Sequence, residues 1–172
     1  MDKEEIRKIY SRYAAVYDVI FSQSFLPRIR LGLEKIGIKK GDTIIEVGVG
    51  TGLSFPLYPD SCVVAGIDIT RKMLIKAKDK KEKRGFDHIS LFEMDAENIT
   101  FADDSFDYAV VPFVVSVVPD LVLMMSEIRR VKKKNGNYCD QPFPEQELGS
   151  YEARKTLFSH VSETRVEGGG AD

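Results

Sequence analysis

The segment Ile44-Ile45-Glu46-Val47-Gly48-Val49-Gly50-Thr51-Gly52 constrains this chain more than any other. It reads as a short apolar strand, Thr43–Val47, that carries an acid near its end and runs into glycines at alternate positions. Glycine has no β-carbon, so such a bend reaches positive φ and lets a ligand lie against the backbone. In open α/β sheets a bend of this kind stands at the carboxyl end of the first strand, where ligands bind. A second apolar run, Cys62–Ile67, ends at Asp68. That acid lies about 20 residues beyond Gly48, the separation at which a carboxylate accepts hydrogen bonds from ribose hydroxyls.

The rest of the chain fits that frame. Over residues 4–21, Ile6, Ile9, Tyr10, Tyr13, Val16, Tyr17, Ile20 and Phe21 recur at helical steps, which predicts one amphipathic helix. A second helix is expected over Pro27–Ile36, stopped by Gly37. After the glycine bend a helix should start near Leu53 and be cut short by Pro56. Arg71–Arg84 reads as a basic helix, Ile89–Glu93 and Tyr108–Pro112 as strands, and Leu121–Lys132 as a helix with Leu121, Met124, Met125, Ile128 and Val131 on one face. Strands alternating with helices at this spacing indicate a parallel sheet of βαβ units. Apolar strands such as Tyr108-Ala109-Val110-Val111 suit a sheet covered on both faces.

Composition narrows the function classes. With 25 basic and 27 acidic residues the net charge is −2, so no global field attracts nucleic acid. No apolar run is long enough to span a bilayer, and Met1-Asp2-Lys3-Glu4-Glu5 lacks the apolar core of a secretory signal. Cys62, Cys139, His88 and His160 match no metal or redox spacing, so no metal site is expected. A cytoplasmic setting is the expectation, with peripheral contact to a membrane as an addition.

Two cofactors compete for the bend. A dinucleotide fingerprint wants glycine or alanine three residues after its second glycine, to bring helix and strand together under a pyrophosphate. Counting from Gly50, that position is Leu53. The spacing here is G-x-G-x-G behind an acid, which suits the ammonium and carboxylate of an amino-acid end better than a pyrophosphate. In these residues the sequence resembles class I S-adenosylmethionine-dependent methyltransferases, whose first motif is matched by Ile45–Gly52 and whose ribose-binding acid is matched by Asp68. The resemblance implies a Rossmann-like doubly wound α/β fold with S-adenosyl-L-methionine as cofactor. By position, Glu46, Gly48, Gly50 and Gly52 would meet the methionine end and Asp68 the ribose. Ile69 and Met73 would flank the adenine. In Met94-Asp95-Ala96, Asp95 would take the adenine amino group and Ala96 would offer a backbone amide to the ring. Asp107, in the segment leading into strand four, reads equally well as a turn residue.

A closer resemblance is to small bacterial phosphatidylethanolamine N-methyltransferases. It is carried by Tyr17-Asp18-Val19-Ile20-Phe21, by Gly48–Ser54 followed by Pro56-Leu57-Tyr58, and by Val111-Pro112 through Val118-Pro119-Asp120. Quinone-biosynthesis methyltransferases share the Tyr-Asp element and give the alternative acceptor class. The resemblance implies a small-molecule or lipid head-group substrate, with Tyr13 and Tyr17 as catalytic residues that orient the amine by hydrogen bond or ring–cation contact. The N-terminal helix suits either of two roles: a lid that packs its apolar stripe over the cofactor, or an interfacial helix with Lys3, Arg7, Lys8 and Arg12 facing anionic head groups.

After Lys132-Lys133-Lys134-Asn135-Gly136 a β-branched strand is expected, yet the chain reads Asn137-Tyr138-Cys139-Asp140-Gln141-Pro142. No strand pattern is visible there. The reading is therefore a methyltransferase domain over 1–136, truncated after its fourth strand, followed by an irregular tail over 137–172. A slipped reading frame starting at Asn137 would permit Ile-Ile-Val-Ile-Asn-His-Phe, a strand-like run. Sequencing of the locus tests that idea. A chain cut short in this way gives a further alternative, an inactive cofactor-binding fragment.

Overall fold

The structure is a computed structural model that describes residues 2–13, 17–112, 114–115 and 117–140, with side chains described outside 12–25 and 135–140. Four helices, α1 (Lys3–Tyr13), α2 (Tyr17–Ile36), α3 (Arg71–Arg84) and α4 (Leu121–Val131), accompany five strands. The strands are β1 (Thr43–Val47), β2 (Val63–Asp68), β3 (Ile89–Glu93), β4 (Phe106–Val111) and β5 (Lys132–Asp140). All neighbours pair in parallel, in the order β3-β2-β1-β4-β5. The chain steps outward from β1 through β2 to β3, then returns to lay β4 on the other side of β1. That reversal opens a crevice at the carboxyl ends of β1 and β4, the place where doubly wound sheets bind ligands.

Period-2 alternation is weak in these strands because both faces are covered. Ile44, Ile45, Val47, Val64, Ile67, Ala109 and Val110 are all buried. On one side Ile44, Val64 and Val110 form a cluster with Ile29 and Leu33 of α2, Leu74 and Ala77 of α3, and Phe55. Helix α4 starts where the Asp120 side chain accepts from the Leu123 amide at 2.9 Å, and it buries Met124, Met125, Ile128 and Val131 at helical spacing. Helix α3 ends at Gly85 with φ +69°, whose amide donates to Lys81.

Three elements differ from the sequence reading. The periodic run over residues 4–21 is two helices, with α1 ending at Tyr13 and α2 beginning at Tyr17. Helix α2 reads through Pro27 instead of starting there. Proline disfavours a helix interior, but Ile29 and Leu33 bury their side chains in the core and secure the turns that follow. The turn after the glycines is only a short 3₁₀ segment, Phe55–Leu57, because Pro56 supplies no amide to continue it.

The largest correction concerns the fifth strand. The sheet is not truncated after β4: β5 pairs with it, setting Tyr108 opposite Asn137 and Val111 opposite Asp140. Gly136, the expected domain end, lies inside that strand. Strand propensity is a weak prior, and an edge such as that of β4 offers unpaired amides and carbonyls to whatever chain the preceding helix delivers. Helix α4 delivers Lys132 directly into that register. Residues 141–172, which make up the rest of the expected tail, lie outside the described residues.

The lower end of the sheet is tied by Asp107. Its carboxylate accepts from the Thr43 amide at 2.9 Å and hydroxyl at 2.8 Å, and pairs with the Lys133 ammonium at 2.8 Å. Partial burial works against its charge, but Lys133 and Thr43 outweigh it and hold the carboxyl down at about 2. Asp107 therefore joins β1, β4 and β5 at the end of the sheet opposite the crevice.

Candidate functional site

The crevice is built around the bend after β1. The amides of Gly48 and Val49 both donate to the Ile67 carbonyl, at 2.8 and 3.0 Å, which folds the bend onto the end of β2. Two positions there require glycine. Gly48 has φ +75°, and a β-carbon on it would fall 1.9 Å from Cγ2 of Val114. Gly52 has φ +72°, and its β-carbon would meet the Phe55 ring at 2.3 Å. Both the left-handed backbone and the close approach exclude a side chain.

Asp68 closes the other half. One carboxylate oxygen accepts from the Gly50 amide at 2.8 Å and the other from the Thr70 amide at 2.7 Å. Burial raises its pKa, opposed by those hydrogen bonds. The Thr70 side chain also bonds this carboxylate, which braces the bend and, with about four lone-pair sites in all, keeps acceptor capacity for hydroxyls.

These residues border a cleft of about 750 Å³ that opens to solvent. Gly48, Gly50 and Asp68 line one part of it. Ile69 and Met73, and beyond them Asp95 and Ala96, line another. Asp95 accepts from the Glu97 amide at 2.9 Å and pairs with the Lys3 ammonium at 2.7 Å. Two of the expected residues do not line it. Gly52 lies behind the bend against Phe55. Glu46, 1% exposed, takes the Ser54 hydroxyl on both oxygens and the Tyr58 hydroxyl on one, each at 2.8 Å. Burial pushes its pKa up to about 7 against those two hydroxyls, and Asp68 adds to the rise. Tyr13 ends α1 and Tyr17 begins α2, but their side chains lie outside the described residues.

The sequence reading missed part of the wall. Val114, Val117 and Val118, after β4, give the cleft an apolar side. They belong to no periodic element, and only the apolar run itself hinted at them. Lys3, Ile6 and Tyr10 of α1 line the cleft from above, on one helical face at i, i+3 and i+7. The lid reading of α1 follows that face. Lys3 bridges Asp95 and Glu97, the latter at 2.6 Å.

The same region is matched by a known family. Residues 45–139 match the model of a methyltransferase domain. The chain belongs to this methyltransferase family. It is 40% identical over 138 residues to a phosphatidylethanolamine N-methyltransferase of Cereibacter sphaeroides, a match covering 79% of this chain and 66% of the relative. It is 28% identical over 143 residues to a demethylmenaquinone methyltransferase of Anoxybacillus flavithermus, covering 78% and 60%. The chain thus spans less than two thirds of the length of these curated relatives. A SAM-dependent methyltransferase from Aquifex aeolicus shares the fold with a TM-score of 0.60 at 20% identity, covering 90% of this chain and 87% of that one.

S-adenosyl-L-methionine is the cofactor of this family, and the cleft fits it. The group is a cation with a ribose, a flat base and a zwitterionic end. The cleft offers acceptor carboxylates at Asp68 and Asp95, a side-chain-free bend at Gly48, and the apolar faces of Ile69 and Met73. Among the described residues no group of three or more His, Cys, Asp or Glu side chains is placed to hold a metal ion, and no helix is long and apolar enough to cross a membrane.

Proposed function

We propose that this chain is an S-adenosyl-L-methionine-dependent methyltransferase that methylates the amine of a phosphatidylethanolamine-type lipid head group. The observation that carries the reading is the 40% identity to the phosphatidylethanolamine N-methyltransferase over 138 residues, 79% of this chain. When bound, the cofactor supplies an electrophilic methyl group on a good leaving group. The protein's task is then chiefly to hold and align the reactants. Asp68 grips the ribose hydroxyls, Asp95 and the Ala96 amide take the adenine edge, Ile69 and Met73 flank its ring, and Gly48 and Gly50 pass the amino-acid end. The acceptor enters along Val114, Val117 and Val118, whose apolar surface excludes water from the reacting nitrogen.

An ammonium has no lone pair, so the amine reacts only after losing its proton. Tyr13 and Tyr17 are proposed to orient it, from the end of α1 and the start of α2. Contact with a membrane surface is part of the same proposal, since the head group has to be met at a bilayer. A second acceptor class rests on the 28% identity to a demethylmenaquinone methyltransferase. Incubation of the purified chain with labelled S-adenosyl-L-methionine and vesicles containing phosphatidylethanolamine tests the proposal. Label in the lipid supports it. Label only in demethylmenaquinone moves the assignment to the second class. Cofactor binding with transfer to neither acceptor identifies a binding fragment instead.

A further inference from the structure

Glu46 is the buried charge that the cofactor contacts do not use. Its carboxylate lies under the bend with two hydroxyl partners, Ser54 and Tyr58. Among the described residues no basic side chain forms an ion pair with it. The strands beside it bring no compensation: its register partners are Gly66 on β2 and Val110 on β4, and the charged group that acts on it is Asp68, of like sign. A carboxylate kept in this setting for stability alone would be a poor choice, since a neutral group of the same shape satisfies the same hydroxyls without a desolvation cost. The cleft lies next to Glu46 in the chain, since Val47 and Gly48, the next two residues, line that cleft.

We propose that the Glu46–Ser54–Tyr58 cluster is a charge-specificity determinant, a fixed negative site behind the glycine bend that favours the sulfonium form of the cofactor over its neutral thioether product. The inference rests on the cofactor reading above. Both forms carry the same ribose, base and amino-acid end, so every other contact in the cleft treats them alike, and the difference between them is the positive charge on sulfur. Ser54 and Tyr58 hold the carboxylate in place and share its charge without neutralising it. They act as positioning residues, and Glu46 acts through the field. At an effective dielectric constant of about 20, a charge pair separated by about 12 Å of protein supplies about tenfold discrimination. Protonation of Glu46 abolishes the effect, and the burial that raises its pKa to about 7 brings that loss into an accessible range. Binding of the sulfonium therefore releases a proton near neutral pH, whereas binding of the thioether does not.

Calorimetric titration with S-adenosyl-L-methionine and with S-adenosyl-L-homocysteine tests this, in buffers of differing ionisation enthalpy so that proton release is counted directly. For the unmodified chain at pH 8 the sulfonium form should bind more tightly relative to the thioether than it does in Glu46→Gln, by about tenfold. That advantage should shrink about fivefold between pH 8 and pH 6, with proton release at pH 7 on the sulfonium arm alone. Glu46→Gln should retain the fold, by circular dichroism, and should lose both the pH dependence and the proton release. Tyr58→Phe, which keeps the carboxylate, should retain part of the discrimination. An affinity ratio and proton count identical in the unmodified chain and Glu46→Gln overturn the proposal. Failure of both ligands to bind overturns instead the cofactor reading on which it rests.

Discussion

Replacing Glu46 by glutamine should make the folded chain more stable at pH 8 and flatten its dependence on pH. The carboxyl is fully buried, and its pKa moves from an ordinary 4.5 to about 7 on folding. The folded state therefore binds this proton more tightly than the unfolded chain does. The protonated group favours the fold fully below about pH 4.5, and the contribution disappears as pH rises through about 7. The difference between 4.5 and about 7 corresponds to about 3 kcal/mol. Glutamine keeps an oxygen for both hydroxyls, and its amide donates back to the same oxygens, so the exchange preserves the hydrogen bonds. Urea denaturation of both chains at pH 5 and pH 8 measures the effect as a difference of differences, in which other titrating groups cancel. Asp68, also raised, acts in the same sense in both chains. The substituted chain should gain about 2–3 kcal/mol at pH 8 relative to its balance at pH 5, since part of the contribution is already lost at pH 5. Equal slopes in the two chains would show that Glu46 titrates normally and that its burial carries no electrostatic cost.

Other expectations follow from single contacts. Gly52→Ala forces a side chain onto a φ of +72° and into the ring of Phe55, a residue with no exposed surface. A loss of about 2 kcal/mol or more in denaturation is expected, and an unchanged midpoint refutes the geometry. Asp107, held at about 2 by Lys133 and Thr43, contributes stability above its ordinary 3.8 that is lost as pH falls through about 2. Asp107→Asn should be less stable than the unmodified chain at pH 6 and converge with it near pH 2, in a fluorescence melt. Lys3→Ala removes both ion pairs that fix the start of α1, at little cost to global stability because Lys3 is partly exposed. Trypsin should then cut at Arg7 or Lys8 sooner, while the midpoint of thermal unfolding stays within a degree or two.

The sequence made the frame of this molecule legible because its strongest signals are local. Thr43–Val47 and Arg71–Arg84 run up to the glycines that end them, Gly48 and Gly85, and Ile89–Glu93 is a short run with apolar residues; the structure keeps those boundaries. The approach of Asp68 to Gly50 was also readable, since a fixed chain separation in a βαβ unit brings the two strand ends together. What stayed hidden depends on long-range contacts. Lys132–Asp140 has poor strand propensity and pairs because the edge of β4 is beside it. The inward turn of Glu46 depends on the hydroxyls of Ser54 and Tyr58, eight and twelve residues along, which no periodic pattern ties to it. Val114 is set against Gly48 by a loop with no repeat at all.

Direct titration of the chain with S-adenosyl-L-methionine, set beside the same titration of Asp68→Ala, bears most immediately on the cleft. Loss of the carboxylate leaves ribose hydroxyls and the Gly50 amide without an acceptor, at about 1–3 kcal/mol. The unmodified chain should bind, and the variant, if still folded by circular dichroism, should bind about 5- to 150-fold more weakly. Equal affinity in the two chains would place the cofactor elsewhere and contradict the assignment of this cleft.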